Sequence, residues 1–226
     1  MSIKVWVGLG SNLGEREQFL KIARRYCRQL STEPLLVSSI YETPAWGGVA
    51  SEPFLNQVIG FNLNQRSLIN FIQHEFTELE IEPTVQFGMR QTSSVENSWF
   101  KTQISHMSGR ILSVDSTPVI LAEYFMLALL LIERRCGRDR SQNAIKWGSR
   151  TVDLDLLEVS GGLGERGRFE SPLLTLPHPR LHERDFVLAP WAEIAPSLYL
   201  PAHEATVKQL YTSLLSQEHG LLPYYT

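Results

Sequence analysis

The sequence predicts an α+β sandwich in which helices cover one face of a mostly antiparallel sheet. Three observations carry this. The apolar patterning runs strand–helix–strand–strand–helix and then strand and helix again, an order that suits a mixed sandwich. Hairpin-like connections between the strands count against a doubly wound parallel sheet. The chain has 226 residues, 43% hydrophobic and 20% charged, enough to bury a large core without covalent staples.

The elements follow in order. Ile3 to Leu9 is apolar enough for a central strand and runs into the turn Gly8-Leu-Gly-Ser-Asn-Leu-Gly14. Glu15 and Glu17 suit the first turn of a helix reaching about Leu30, with Phe19, Leu20, Ala23, Tyr26, Cys27 and Leu30 on its apolar side. Leu35 to Tyr41 is a second strand, stopped by Thr43-Pro44-Ala45-Trp46-Gly47-Gly48. Phe54 to Leu63 is a third. Ser67 to about Glu82 has helical spacing through Leu68, Ile69, Ile72, Phe76 and Leu79.

Residues 84–118 differ: seven serines and four threonines in 35 residues, without sustained period. Such a stretch reads as an insertion or lid within a single domain spanning 1–226. Short strands are conceivable at 85–87 and 110–114. Pro118 opens a helix over 119–136 that Gly137 stops. Val152 to Val159 is a strand, 160–167 a glycine-rich turn, 181–194 contains a helix, and 204–216 holds a weaker one.

Net charge is -3 and the pI is about 6.1, which excludes a broad nucleic-acid-coating surface but leaves room for a local basic pocket. Cys27 and Cys136 make neither a disulfide scaffold nor a four-cysteine metal site, and are expected as reduced, buried thiols. The apolar run at the N-terminus is too short for a signal peptide. Val119 to Ile132 is too short to cross a bilayer and contains Glu123. The expectation is a cytoplasmic protein without membrane or nucleic-acid partners.

Chemistry is densest between Glu133 and Asp155. Arg134, Arg135, Arg138, Arg140, Lys146 and Arg150 are opposed only by Asp139 between residues 134 and 150. Arginine forks match phosphate oxygens, although a solvated basic loop would give the same run. Asp153-Leu154-Asp155 follows inside an apolar strand, so alternation puts both carboxylates on one face. Like charges that close repel unless a cation intervenes, and two carboxylates suit Mg²⁺ alongside water and substrate phosphates. A solvent-facing acidic edge is the plain alternative. Beside the basic run, polyphosphate handling explains both features together.

His178, fixed between Pro177 and Pro179, either donates to a phosphate or braces the turn, and Arg184 is a phosphate ligand or a surface ion pair. The first glycine loop fits neither the GxxxxGK[ST] nor the GxGxxG spacing. The Trp46-Gly-Gly loop, Phe54 and Asn56 would supply a flat apolar surface with an amide, which suits a planar heterocycle; a core aromatic and a turn asparagine explain them equally well.

Taken together, GlyLeuGlySerAsnLeuGly at 8–14, SerSerIleTyrGluThrPro at 38–44, PheLeuAsn at 54–56, GluArgArgCysGlyArg at 133–138, TrpGlySerArgThrValAspLeuAsp at 147–155 and ProHisPro at 177–179 resemble the 6-hydroxymethyl-7,8-dihydropterin pyrophosphokinases of folate biosynthesis. The resemblance covers nearly the whole chain apart from about 80–120. It implies a ferredoxin-like core and pyrophosphoryl transfer from ATP to the pterin hydroxymethyl group, releasing AMP, with two Mg²⁺ ions. It further implies Asp153 and Asp155 as metal ligands and catalytic residues, with Arg140, Lys146 and Arg150 beside them. Thr43, Pro44, Phe54, Asn56 and Phe186 would line the pterin pocket, the two phenylalanines sandwiching the ring. Glu133, Arg140, Lys146, Trp147, Arg150, Thr175, His178 and Arg184 would surround ATP, with Trp147 and Arg150 on a mobile loop.

The chain departs from the family in three places. Lys146 stands where arginine is common, keeping the charge but losing the fork. The loop between Arg138 and Trp147 is slightly longer than in the smallest members. The polar insertion reads as a lid, a self-association contact or a disordered excursion. A non-catalytic relative that binds pterin or nucleotide as an interaction module is the alternative, and intact Asp153 and Asp155 argue against it.

Overall fold

The computed structural model describes residues 3–45, 52–78, 116–138, 140, 148–160 and 167–216. The helix continuation past 78, the short strands at 85–87 and 110–114, most of the 84–118 segment, and the 161–166 turn lie outside them.

The central strand β1 (Lys4–Ser11) divides its side chains by alternation. Val5, Val7 and Leu9 enter one apolar layer, whereas Trp6 enters another and Gly8 and Gly10 face a cleft. Helix α1 (Arg16–Gln29) returns over the first layer, burying Leu20, Ala23 and Cys27. The predicted second strand is split into β2 (Leu36–Val37) and β3 (Tyr41–Thr43), both paired with β4 (Phe54–Asn62). Ser38 causes the break: its hydroxyl accepts from the Val58 amide at 3.0 Å and donates to the Ser39 carbonyl at 2.8 Å. The Ser39 amide and hydroxyl and the Tyr41 hydroxyl then all donate to Glu193, drawing this edge toward the second layer.

Helix α2 (Gln65–Glu78) precedes α3 (Pro118–Arg135) among the described elements. The Thr117 side chain caps α3, and Gly137 at φ +74 ends it as predicted. A helix apolar on nearly every side belongs inside, and α3 buries twelve residues, with Phe125 edge-on to Phe61 at 5.7 Å. Strand β5 (Asp153–Ser160) completes the sheet in the order β2-β4-β1-β5, antiparallel throughout. Each helical connection therefore links two strands separated by a third, the ferredoxin-like arrangement. A bulge at Leu157 shifts the β1–β5 register between Trp6 and Val7.

Helices cover both faces, not one. Trp6, Val58 and Leu157 give the second face an apolar patch that must be buried. Helix α4 (Asp185–Ile194) and helix α5 (Val207–Leu215) bury it with Val187, Leu188, Trp191 and Val207. The predicted 181–194 helix thus opens with a separate short turn, Leu181–Glu183. Two small ribbons complete the fold: β6 (Phe169–Glu170) with β7 (Thr175–Leu176), and β8 (Tyr199–Leu200) with β9 (Ala205–Thr206). Gly60 is demanded by packing, since a Cβ there would stand 2.3 Å from the Trp6 ring. Both cysteines are free and buried; burial pushes Cys27 up to about 12 and Cys136 to about 11, leaving them unreactive. No helix among the described residues is long and apolar enough to cross a membrane.

Glu158 is 3% exposed, opposite Trp6, and its Oε2 has no hydrogen-bond partner among the described residues. Burial pushes its carboxyl from 4.5 up to about 8, against the opposing pull of the Val159 amide. A raised folded pKa means stability is fully present below 4.5 and is lost as pH rises toward about 8. The loss should reach a few kcal/mol, since each tenfold change in proton affinity is worth about 1.4 kcal/mol. Glu158→Gln should therefore gain on the wild type as pH rises from 5 to 9. Parallel melting curves across that range would refute a buried neutral Glu158.

Candidate active site

A cleft of about 650 Å³, including its mouth, opens on the second sheet face where α4 and α5 no longer cover it. Gly8 and Gly10 form its floor because their missing side chains leave the sheet bare. A Cβ on Gly10 would meet Phe54 at 3.4 Å, the Asn56 Oδ1 at 3.5 Å and Asp153 at 3.7 Å. Those three contacts define the two walls. Thr43 at the end of β3, Pro44 just after it, and Phe54 and Asn56 of β4 stand on one side, and Asp153 and Asp155 come from β5 on the other. Arg184 and Phe186 close the cleft from the start of α4, and Arg150 stands beside Asp153. The five residues expected to hold a ring and the two expected to hold a metal thus share one cavity.

Each wall is built from its own chemistry. Asn56 is 6% exposed, and its Nδ2 donates to Thr43 Oγ1 at 2.9 Å, which directs Oδ1 toward the floor as an acceptor. Alternation sends Leu154 and Leu156 into the first core while both aspartates face the cleft. Asp153 accepts from Arg138 and, at 2.7 Å, from Arg150. Burial alone would raise its pKa, yet Arg138 and Arg150 hold it at about 2. Asp155 pairs with Arg184 at 2.9 Å. The same arginines lie over the aromatic rings: Arg150 is 5.1 Å from the Phe54 centroid and Arg184 is 5.6 Å from that of Phe186.

Glu133 is not at the surface of this cleft. It is fully buried, bonded to Arg138 at 2.5 Å, to Arg140, and to the Leu154 amide at 2.8 Å. Burial pushes its carboxyl up to about 7 while the two guanidiniums pull it down. The Leu154 amide lies between the two cleft carboxylates, so Glu133 fixes their backbone from inside. Arg140 rests on Glu133, and Thr175 is exposed on β7; neither lines the cleft. His178 is half-buried near Asp155 and Arg184. Burial lowers its pKa, Asp155 opposes that, and its Nδ1 accepts from the Arg180 amide at 3.2 Å, which leaves Nε2 as a donor. Lys146 and Trp147 lie outside the described residues, as do Trp46, Gly47 and Gly48.

The basic run divides once folded. Arg135 turns away to Glu75 of α2 at 2.9 Å, and Arg138 reaches the site instead. In the sequence Arg138 is one basic residue among six; its place just past the left-handed Gly137 was the available signal. Ser11 and Asn12 read there only as turn formers. Asn12 is 2% exposed; its Oδ1 accepts from the Arg150 amide at 2.8 Å, while its Nδ2 donates to Ser149 Oγ and the Glu52 carbonyl, each at 3.2 Å. Ser11 donates to the Thr151 carbonyl at 2.5 Å. The turn after β1 therefore holds the segment leading into Asp153.

The model of the family described as 7,8-dihydro-6-hydroxymethylpterin-pyrophosphokinase matches residues 6–92 and 110–196, which include the cleft. A Bacillus subtilis protein named 2-amino-4-hydroxy-6-hydroxymethyldihydropteridine pyrophosphokinase is 28% identical over 219 residues, 96% of this chain and 92% of the relative. A Synechocystis protein of the same name is 32% identical over 154 residues, 68% of this chain and 73% of the relative. Among solved structures, a crystal structure of HPPK-DHPS in complex with substrates aligns with a TM-score of 0.46 at 12% identity, covering 96% of this chain and 44% of that one.

Proposed function

The chain belongs to the 7,8-dihydro-6-hydroxymethylpterin-pyrophosphokinase family, and on that premise we propose that it transfers pyrophosphate from ATP to 6-hydroxymethyl-7,8-dihydropterin in folate biosynthesis. One observation supports this above all: a flat aromatic slot with an oriented amide shares a single cleft with paired carboxylates and arginines. The first half suits a planar heterocycle and the second a polyphosphate.

In this reading Phe54 and Phe186 stack against the pterin, and Asn56 Oδ1 accepts from its N–H edge. The pterin hydroxyl oxygen bonds to the β-phosphorus as the bond from that phosphorus to the oxygen bridging to the α-phosphorus breaks. AMP leaves with that oxygen and the hydroxyl proton passes to solvent. With Asp153 and Asp155 given to Mg²⁺, no dedicated base is assigned to the hydroxyl. Positioning and neutralisation of oxygen charge must supply the acceleration. Arg150 and Arg184, already at the cleft, would bind phosphate oxygens. His178 Nε2 would donate to another, and Arg140, Lys146, Trp147 and Thr175 would complete the nucleotide's surroundings.

Asp153 and Asp155 fit Mg²⁺, which takes one or two carboxylates and fills its remaining positions with water and phosphate oxygens. No group of three or more His, Cys, Asp or Glu side chains that could hold a metal ion occurs among the described residues. Two ions held by the paired aspartates would supply Lewis-acid polarisation of the phosphate. The residues' own share is to hold both carboxylates on one face and, through Arg138 and Arg150, to keep Asp153 ionised.

The remaining proposals are a single catalytic domain with an insertion at 84–118, self-association through that insertion, and a cytoplasmic location. Residues 93–109, between the matched stretches, and two free buried thiols support the first and last of these. The deciding experiment follows ATP with Mg²⁺, with and without the pterin. Pterin-dependent AMP is expected. ADP as the product would overturn the reading, and binding of both ligands without product would favour the non-catalytic relative.

A pocket-filling variant tests the floor. Gly10→Val should weaken pterin binding by about 10-fold or more, because a misplacement of about 1 Å costs that much or more. The measurement is fluorescence titration, and undiminished pterin affinity would remove Gly10 from the pterin site.

A further inference from the structure

We propose that Arg16 is a positioning residue for the pterin wall, a strut that sets pterin affinity from the opposite side of the sheet; the inference rests on the functional reading above. Arg16 is the first residue of α1, just after Gly14 at φ +68. Its Nη1 donates to Glu42 Oε1 at 2.8 Å and to the Pro53 carbonyl at 2.9 Å. Glu42 lies between Tyr41 and Thr43 on β3, opposite Leu55, and Pro53 immediately precedes Phe54.

Alternation places Glu42 on the face opposite Thr43. The guanidinium therefore grips β3 and the start of β4 from the α1 side, while Thr43, Phe54 and Asn56 face the cleft. One nitrogen ties together the two backbone segments that carry the Thr43–Asn56 hydrogen bond and the Phe54 ring. Both Arg16 and Glu42 are about one-third exposed, at 28% and 31% of their side chains. An ion pair that exposed contributes little to global stability. Its effect belongs in the spacing of the slot, where small displacements are costly.

The test compares full-length wild type, Arg16→Met and Glu42→Gln. It measures pterin and Mg²⁺–ATP-analogue dissociation constants, steady-state kinetics and melting temperature. Arg16→Met should raise the pterin Kd and KM about 10-fold while kcat, nucleotide Kd and melting temperature stay near wild type. Glu42→Gln keeps an acceptor and loses the charge, so about a 3-fold rise is expected. Unchanged pterin affinity in both variants overturns the strut. So do equal losses for both ligands with lowered melting temperatures, which would report a structural role only. Failure of the wild type itself to bind pterin would overturn the functional reading and the strut with it.

Discussion

Asp155→Asn should lower pterin-dependent AMP release by about 10²–10³-fold or more while the protein melts close to wild type. The contrast follows from where Asp155 stands. Its side chain is 33% exposed at the cleft, and Arg184 is its cationic partner at 2.9 Å. Asparagine preserves an oxygen acceptor for that guanidinium, so the Arg184 hydrogen bond can persist and the change in stability should be small. The carboxylate charge, by contrast, is what would bind Mg²⁺ and set the phosphate oxygens in place. Asp153 is a poorer probe, because Arg138 and Arg150 both converge on it and would be left partly unpaired. Rates should be read beside melting curves and Mg²⁺-dependent nucleotide binding. A variant that keeps more than about a tenth of wild-type turnover would remove Asp155 from the chemical step.

Glu133→Ala should act in the opposite way, through the fold first. The substitution leaves Arg138 and Arg140 without their buried carboxylate and frees the Leu154 amide. Breaking a buried ion pair from one side costs about 3–5 kcal/mol, which for a chain of this size lowers the melting temperature by roughly 10 °C. Glu133→Gln, which keeps acceptor capacity, should lose less. If Glu133→Ala melted like wild type and only nucleotide affinity fell, Glu133 would touch the nucleotide directly rather than fix the strand beneath it.

Much of this site is legible from residues close together in sequence. Alternation alone puts Asp153 and Asp155 on one face, and the structure puts that face on the cleft. The position of α3 follows from its Thr117 cap, Pro118 and Gly137, all local signals. What escapes is long-range. Nothing near Ser38 announces that its hydroxyl would take the Val58 amide and split an edge strand. The second helical layer depends on Trp6, Val58 and Leu157 converging from three strands, which no single window contains. Glu133 and Arg138 look alike as members of a polar motif. Only burial distinguishes the one that braces Leu154 from the one that reaches Asp153.

The bulge at Leu157 has a consequence for how this gene can change length. Before it, β5 alternates between cleft and first core; after it, Glu158 lies opposite Trp6 and Val159 enters the first core. The two ends of the strand are out of phase by one residue. Deleting the Leu157 codon would restore a regular ladder with the aspartates still on the cleft and Val159 still in the first core, and would cost only the Leu157 side chain in the second layer. Heritable loss of one codon should therefore be tolerated better at Leu157 than within 153–155, where it would turn one of the two carboxylates off the cleft.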